Sequence, residues 1–144
     1  MARQIKPENA ATECLESYNN FIKIVKDETK YILKESGDLV LKNTLPLTPV
    51  DTHALRNSGR SEVEDRAQVP RVVVSFGGDY RVPPTSNAPS GYVDYAAKVH
   101  EDLTLYHPVG GAKFLTLGGR ASLKGIKDII SKGYRAIARR RIDL

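Results

Sequence analysis

The chain has 144 residues, of which 40% are hydrophobic and 27% charged, a composition typical of one soluble domain with a buried core. It contains no run of about 18 apolar residues, which excludes a membrane-spanning helix, and its single cysteine, Cys14, excludes an intrachain disulfide and a multi-cysteine zinc site. The formal net charge is +5, and it is not spread evenly along the chain.

Residues 1–45 are predicted to form a long amphipathic helix, for which Pro7 and Glu8 suit the first turn. We expect the helix to continue beyond Gly37, with Cys14 buried in it. Its apolar stripe should pack on the sheet that follows. The stripe recurs at steps of three and four and consists of Leu15, Tyr18, Ile22, Val25, Thr29 and Ile32, with Leu33 beside them.

A turn, a sheet and a mobile loop are predicted within residues 46–112. Two prolines end the first helix, because each lacks a donor and forces its predecessor into an extended conformation. A short capped turn is expected over 52–58, where Asp51 or Thr52 accepts hydrogen bonds from the N–H groups that follow.

Three strands are predicted, at 61–64, 71–76 and 92–100. The second contains a β-branched run, and in the third apolar residues alternate with polar ones or alanine. The loop over 79–91 is polar and rich in proline, so we expect it to bury nothing and to be mobile. It is either a surface insertion or an arm that becomes ordered against a neighbouring subunit.

A basic C-terminal helix is predicted within residues 113–144, from Phe114 or Ala121 to Arg139. This segment carries nine Lys or Arg against two Asp (+7), whereas residues 1–112 carry thirteen against fifteen acidic residues (−2). The asymmetry indicates contact with DNA or with an acidic partner surface, and a solvated helix face is the alternative. The apolar stripe of this helix is Leu123, Ile126, Ile130 and Ile137, and the candidate interface or DNA-lumen residues are Arg81, Lys124, Lys127, Arg135, Arg139, Arg140 and Arg141.

Catalytic signatures are not found in the sequence. The histidines His53, His100 and His107 fit no standard metal-ligand spacing, and no serine has the glycine pattern of a nucleophile elbow. Gly110-Gly111-Ala112-Lys113 lacks the spacing of a phosphate-binding loop. We therefore predict a protein that is not an enzyme, with no catalytic residue, no cofactor and no metal. Arg139-Arg140-Arg141 could grip phosphates without reading bases.

Three segments point to a family. They are Asp51-Thr52-His53-Ala54-Leu55-Arg56-Asn57-Ser58, Tyr95-Ala96-Ala97-Lys98-Val99-His100-Glu101-Asp102 and Gly110-Gly111-Ala112-Lys113-Phe114-Leu115. In this order and spacing the chain resembles the small neck or tail-completion proteins of long-tailed bacteriophages. Their usual pattern is Pro-Val-(Asp)-Thr-Gly-x-Leu-Arg-x-Ser, then a Tyr-Ala-x-x-Val-(His/Glu) strand, then Gly-x-x-Phe-Leu. This chain departs from the pattern at His53, where the family usually has Gly, and at Gly118-Gly119.

The resemblance implies a structural virion protein of the phage neck, made in the bacterial cytoplasm. Such proteins form closed rings, here expected to be hexameric or alternatively dodecameric, that link the connector to the tail. The expected partners are the chain itself, connector or head-completion proteins, tail-terminator or tail-tube proteins, and genomic DNA in the lumen, but no membrane. The structural motif residues carried over are Thr52, Leu55, Arg56, Tyr95, Ala96, Val99, Phe114 and Leu115.

Two alternatives remain: a small basic DNA-binding protein that uses the C-terminal helix, and a minor capsid or tail-terminator component. For all of them the predicted fold is a single α+β domain over residues 1–144. It has a long N-terminal helix and a C-terminal helix packed on a small antiparallel sheet of about three to five strands.

Overall fold

A computed structural model of the chain describes residues 7–50, 53–65, 69–86 and 88–142. It has the predicted α+β architecture and is mostly helical. The elements in chain order are α1 (Pro7–Thr44), a 3₁₀ turn (Leu45–Leu47), α2 (Ala54–Asn57), β1 (Arg60–Glu64), β2 (Arg71–Ser75), α3 (Ala96–Glu101) and α4 (Phe114–Ile142). No helix in these described ranges combines the length and the apolar character needed to cross a membrane.

Helix α1 has 38 residues and continues through Gly37, as predicted. The absence of a side chain at Gly37 has a structural use, because a Cβ there would collide with Val72 and Ser61 of the sheet. The helix ends at Thr44, where the next turn contains Pro46 at its beginning. Gly37 is therefore a contact point between α1 and the sheet rather than a helix end.

Helices α1 and α4 form an antiparallel pair. Their contacts run from Thr44 against Gly118 at one end to the ion pair of Glu28 with Arg140 at the other. Between these points, the Asn43 side-chain amide donates a hydrogen bond to the Ser122 hydroxyl at 2.9 Å. The α4 face of this contact consists of small residues that allow a close approach: Gly118, Ser122, Gly125 and Gly133.

The two apolar stripes are covered only in part. On α1, Ile32 is buried, but Leu15 and Tyr18 are exposed, so the prediction that the whole stripe packs on the sheet was wrong. On α4, Ile137 is buried, whereas Leu123 and Ile130 are exposed, because the small-residue face rather than the apolar stripe meets α1. Cys14, which was expected to be buried, is also exposed.

Within the part of the chain that the structure describes, the sheet has two antiparallel strands, β1 and β2, with Arg60 opposite Ser75 and Glu64 opposite Arg71. Both strands were predicted, but the three-to-five-strand sheet was wrong. The third predicted strand, 92–100, contributes one isolated bridge between Arg81 and Tyr92 and then becomes α3.

The third predicted strand forms a helix instead because of its composition. Ala96, Ala97, Lys98 and Glu101 favour a helix, and alternation over so few residues does not distinguish a strand from one turn of helix. As a helix, the segment places Ala96 and Val99 in the same apolar core.

The segment 79–91 closes on itself at its base. The Val82 N–H donates to the Gly91 carbonyl at 3.0 Å, and Ala88 and Thr85 exchange two backbone hydrogen bonds of 3.2 Å. Ala88 is buried, so the expectation that this segment buries nothing was wrong at that residue. Its mobility remains a prediction.

Candidate functional site

The three segments that carry the family resemblance meet in one apolar core at the end of the helix pair. Its centre is formed by Leu55 of α2, Val93 and Phe114 of α4, which are 4%, 0% and 2% exposed. Partly buried residues surround this centre: Leu47, Ala54, Phe76, Val82, Tyr95, Ala96, Val99 and Leu115. Of the predicted motif residues, six belong to this core: Leu55, Tyr95, Ala96, Val99, Phe114 and Leu115.

Phe114 joins the second and third segments. Its ring packs edge-on against Phe76 at 5.2 Å between ring centres, and edge-on against the His100 ring at 5.1 Å. Edge-to-face pairs of this kind stabilise beyond the area they bury. Phe114 is also the first residue of α4, so this packing fixes where the long helix begins.

The first segment is held by hydrogen bonds to the backbone. The Arg56 guanidinium donates to the Thr48 carbonyl at 2.9 Å, and the Ser58 hydroxyl donates to the Leu55 carbonyl at 2.6 Å. The same hydroxyl accepts a hydrogen bond from the Gly77 N–H at 2.7 Å. Arg56 thus ties α2 to the turn after α1. Thr52 and Asp51, the other predicted residues of this segment, lie outside the described residues.

His53 precedes α2 in a left-handed conformation, with φ 61°. This is the position where the resembled family usually has Gly, and Gly adopts such a backbone at little cost. His is among the residues that tolerate it better than most. His53 therefore keeps the turn but adds local strain.

Replacement of His53 by Gly is expected to raise the free energy of unfolding by about 0.5–1 kcal/mol, because the left-handed strain is removed at a small entropic cost. Chemical denaturation of both proteins measures the difference. His53→Val should change stability in the opposite direction, since a β-branched residue is strained further in this region. A His53→Gly variant less stable than the parent would contradict the strain at this turn.

The third segment is a glycine turn that connects distant parts of the chain. Gly110 has φ 79°, and a Cβ there would lie 2.6 Å from the Leu47 carbonyl oxygen. The Gly111 N–H donates to that carbonyl at 3.1 Å, and the Lys113 N–H donates to the His100 carbonyl at 2.7 Å. The run Gly110 to Lys113 is thus a structural turn that attaches α4 to the end of α1 and to α3.

Charged side chains form a small exposed cluster beside this turn. The Lys113 ammonium donates to the Glu101 carboxylate, and the His100 ring lies 2.7 Å from the same group. The pKa of Glu101 is lowered, mainly by its hydrogen bond with Lys113 and to a smaller extent by its hydrogen bond with His100. The pKa of Asp102 is lowered by Thr104, whose hydroxyl and N–H donate to it at 2.6 and 2.9 Å.

Replacement of Glu101 by Gln is expected to reduce the decrease in folding stability between neutral and acidic pH. Because the folded state lowers the pKa of Glu101, its ionised form stabilises the fold above the ordinary value of 4.5, and this is lost as the pH falls through the lowered pKa. Denaturation midpoints measured from neutral pH to strong acid test this. The control is Glu35→Gln, at an exposed position on α1. Equal acid slopes for the parent and Glu101→Gln would contradict the expectation.

An open groove of about 580 Å³ lies against the core. Its walls include the motif residues Leu55 and Val99, and its polar groups include Lys98 and His107. The His107 Nε2 atom is buried without a hydrogen-bond partner. Within the described ranges, no group of three or more His, Cys, Asp or Glu is arranged to hold a metal ion.

The predicted basic residues are distributed over two parts of the fold, the segment before α3 and helix α4. Arg81 lies before α3, with its guanidinium 5.6 Å from the centre of the Tyr92 ring. Arg140 is paired with Glu28 and belongs to the contact between the helices. The Arg141 side chain lies outside the described residues, and four other residues are exposed along α4: Lys124, Lys127, Arg135 and Arg139.

Residues missed at the sequence level are the glycines of α4 that contact α1. Their signal was present, because Gly118, Gly125 and Gly133 recur at steps of seven and eight, which keeps them on one side of a helix. Comparison of the chain with protein-family models, with curated proteins and with solved structures gave no match.

Proposed function

We propose that the chain is a structural virion protein of the phage neck, a ring-forming tail-completion or head–tail joining component that links the connector to the tail. The observation that supports this best is the convergence of the three resembling segments on one core around Leu55, Val93 and Phe114. The three segments fix one end of the helix pair and the start of α4.

Exposed apolar residues support an assembly role for the rest of the molecule. Leu15 and Tyr18 on α1 and Leu123 on α4 are all more than half exposed. Exposed apolar residues aligned on one face are typical of protein–protein contacts. The partners that fit the proposal are other copies of the chain in a hexameric or dodecameric ring, and the connector and tail proteins on either side. Genomic DNA would contact basic residues of α4 in the lumen without base specificity.

Particles assembled without this protein test the proposal. We expect DNA-filled heads and separate tails, which electron microscopy would count directly. Supplying the intact chain should restore joined particles, and so should the Gly119→Ala variant, whose added methyl group has open space. Heads that join working tails equally well without the protein would disprove the neck role. A minor capsid or tail-terminator role would instead give defective heads or tails of irregular length.

The exposure of Lys124, Lys127, Arg135 and Arg139 favours a second candidate, a small DNA-binding protein that uses α4. Such a protein would bind duplex DNA on its own, with an affinity that falls steeply with salt. Replacing Arg139, Arg140 and Arg141 by Gln should then weaken binding, whereas replacing Lys23 and Lys26 of α1 should not. Absence of binding at modest salt would favour the neck role, because charges that line a lumen act together only in the ring.

A further inference from the structure

The first part of α1 extends past the end of α4. Helix α4 ends at Ile142, and its Arg140 pairs with Glu28, so the preceding turns of α1 lie beyond it. We call residues 9–24 the α1 overhang. At 1.5 Å per residue it is about 24 Å long.

The apolar face by which α1 packs on α4 continues onto the overhang, where it is exposed. Farther along α1 this face packs on α4, where Ile32 lies against Gly133 and Leu39 against Gly125. On the overhang the same face presents Leu15, 63% exposed, and Tyr18, 60% exposed. The face of α1 that packs on α4 thus extends onto a part of α1 that α4 does not reach.

Helix α4 carries a second exposed apolar row, which we call the α4 stripe. It consists of Leu123, Ile130 and Tyr134, which are 57%, 37% and 45% exposed. Their steps of seven and four place them on one side of the helix over about 17 Å. Leu123 and Ile130 lie on a side that differs from the glycine face, whereas the Tyr134 hydroxyl borders the helix contact, 3.4 Å from the Thr29 hydroxyl of α1. Most of the α4 stripe is therefore available in the isolated subunit, and it is short enough to be covered by the overhang.

The charges of the two surfaces are complementary. The overhang contains two acidic residues, Glu13 and Glu16, against Lys23, whereas residues 114–142 contain eight Lys or Arg against one Asp. Arg120 and Lys127 lie one turn from Leu123 along the α4 stripe. Two overhangs placed together would bring like charges close, whereas an overhang on an α4 stripe brings opposite charges close.

We propose that the α1 overhang of one copy docks on the α4 stripe of a second copy of this chain. The contact is heterologous, because each subunit uses a different surface on each side, and a repeated heterologous contact produces a ring when its rotation closes. The inference deepens the proposed function, since it rests on the ring-forming role and assigns the surfaces that meet.

Two double variants test the contact. Leu15→Gln with Tyr18→Gln removes the apolar face of the overhang, and Leu123→Gln with Ile130→Gln removes that of the α4 stripe. Gln keeps a good helix propensity, and all four positions are exposed, so the fold should be retained. Matched controls on the opposite sides of the same helices are Asn20→Gln and Ala121→Gln.

Sedimentation across a range of protein concentrations measures association. We expect the intact chain and the controls to assemble, in a manner weakened by salt. Each double variant should raise the apparent dissociation constant about tenfold or more. An equimolar mixture of the two double variants should form a one-to-one dimer and nothing larger, because only one competent surface of each kind remains.

The inference would be overturned by an intact chain that stays monomeric at the highest concentrations, by double variants that assemble like the intact chain, or by a mixture that stays monomeric. An α4-stripe variant that still dimerises alone would show that overhangs pair with one another, and this also overturns it. These outcomes are separate from the particle experiment, since unjoined heads would support the neck role even if a different surface formed the ring.

Discussion

Replacement of Phe114 by Ala is expected to lower the free energy of unfolding by about 3–5 kcal/mol. Phe114 is 2% exposed and packs edge-on against both Phe76 and His100. Its loss would leave a cavity where the three resembling segments meet and would remove the anchor at the start of α4. Denaturant unfolding of the purified variant measures the change.

The control for this variant is Tyr106→Ala, which removes an aromatic side chain that is largely exposed. It should change stability by no more than about 0.5 kcal/mol, because surface substitutions without special contacts are usually nearly neutral. If Phe114→Ala and Tyr106→Ala unfolded at the same denaturant concentration, Phe114 would have no anchoring role.

Replacement of Gly118 by Ala is expected to destabilise the protein by roughly 1–3 kcal/mol, although Ala normally favours a helix over Gly. A Cβ at Gly118 would lie 2.7 Å from the Thr44 Cα, and this neighbour is backbone that cannot rotate away. The two helices would have to separate. Thermal or chemical unfolding gives the sign of the change, which is the decisive quantity.

The adjacent residue provides the control. Gly119 has open space where a Cβ would be added, so Gly119→Ala should stabilise α4 by about 0.5–1 kcal/mol. Opposite signs at two neighbouring glycines would show that the effect arises from the contact with Thr44. Stabilisation by both substitutions would contradict the close helix contact.

Local patterns in the sequence predicted the elements whose signal is long or chemically specific. The extent of α1 followed from its periodicity and the prolines after it, and β2 followed from its β-branched run. The segment from Tyr92 to His100 was predicted wrongly, because a few alternating residues fit either structure. The segment forms a helix because it packs against Phe114 and the rest of the core. Such contacts between distant parts of the chain are not visible in the local sequence.

The candidate site was predictable in its residues but less so in its arrangement. The resemblance singled out Leu55, Val99 and Phe114, yet only the fold shows that they share a core with Val93 and Phe76. The faces of the helices were harder to assign. A stripe of large apolar residues on α4 was expected to face the rest of the protein, but glycines at regular steps allow a closer approach and take that side instead.

The two-stranded sheet has a consequence for how the molecule opens. A pair of strands is at best marginally stable in water without further packing, and here its support comes from α1, since Gly37 touches Val72 and Gly59 lies between Leu41 and Phe76. The strands and the helix should therefore lose their structure as one cooperative unit. Amide hydrogen exchange should reveal this as a shared opening free energy for Val73 and for residues near Gly37.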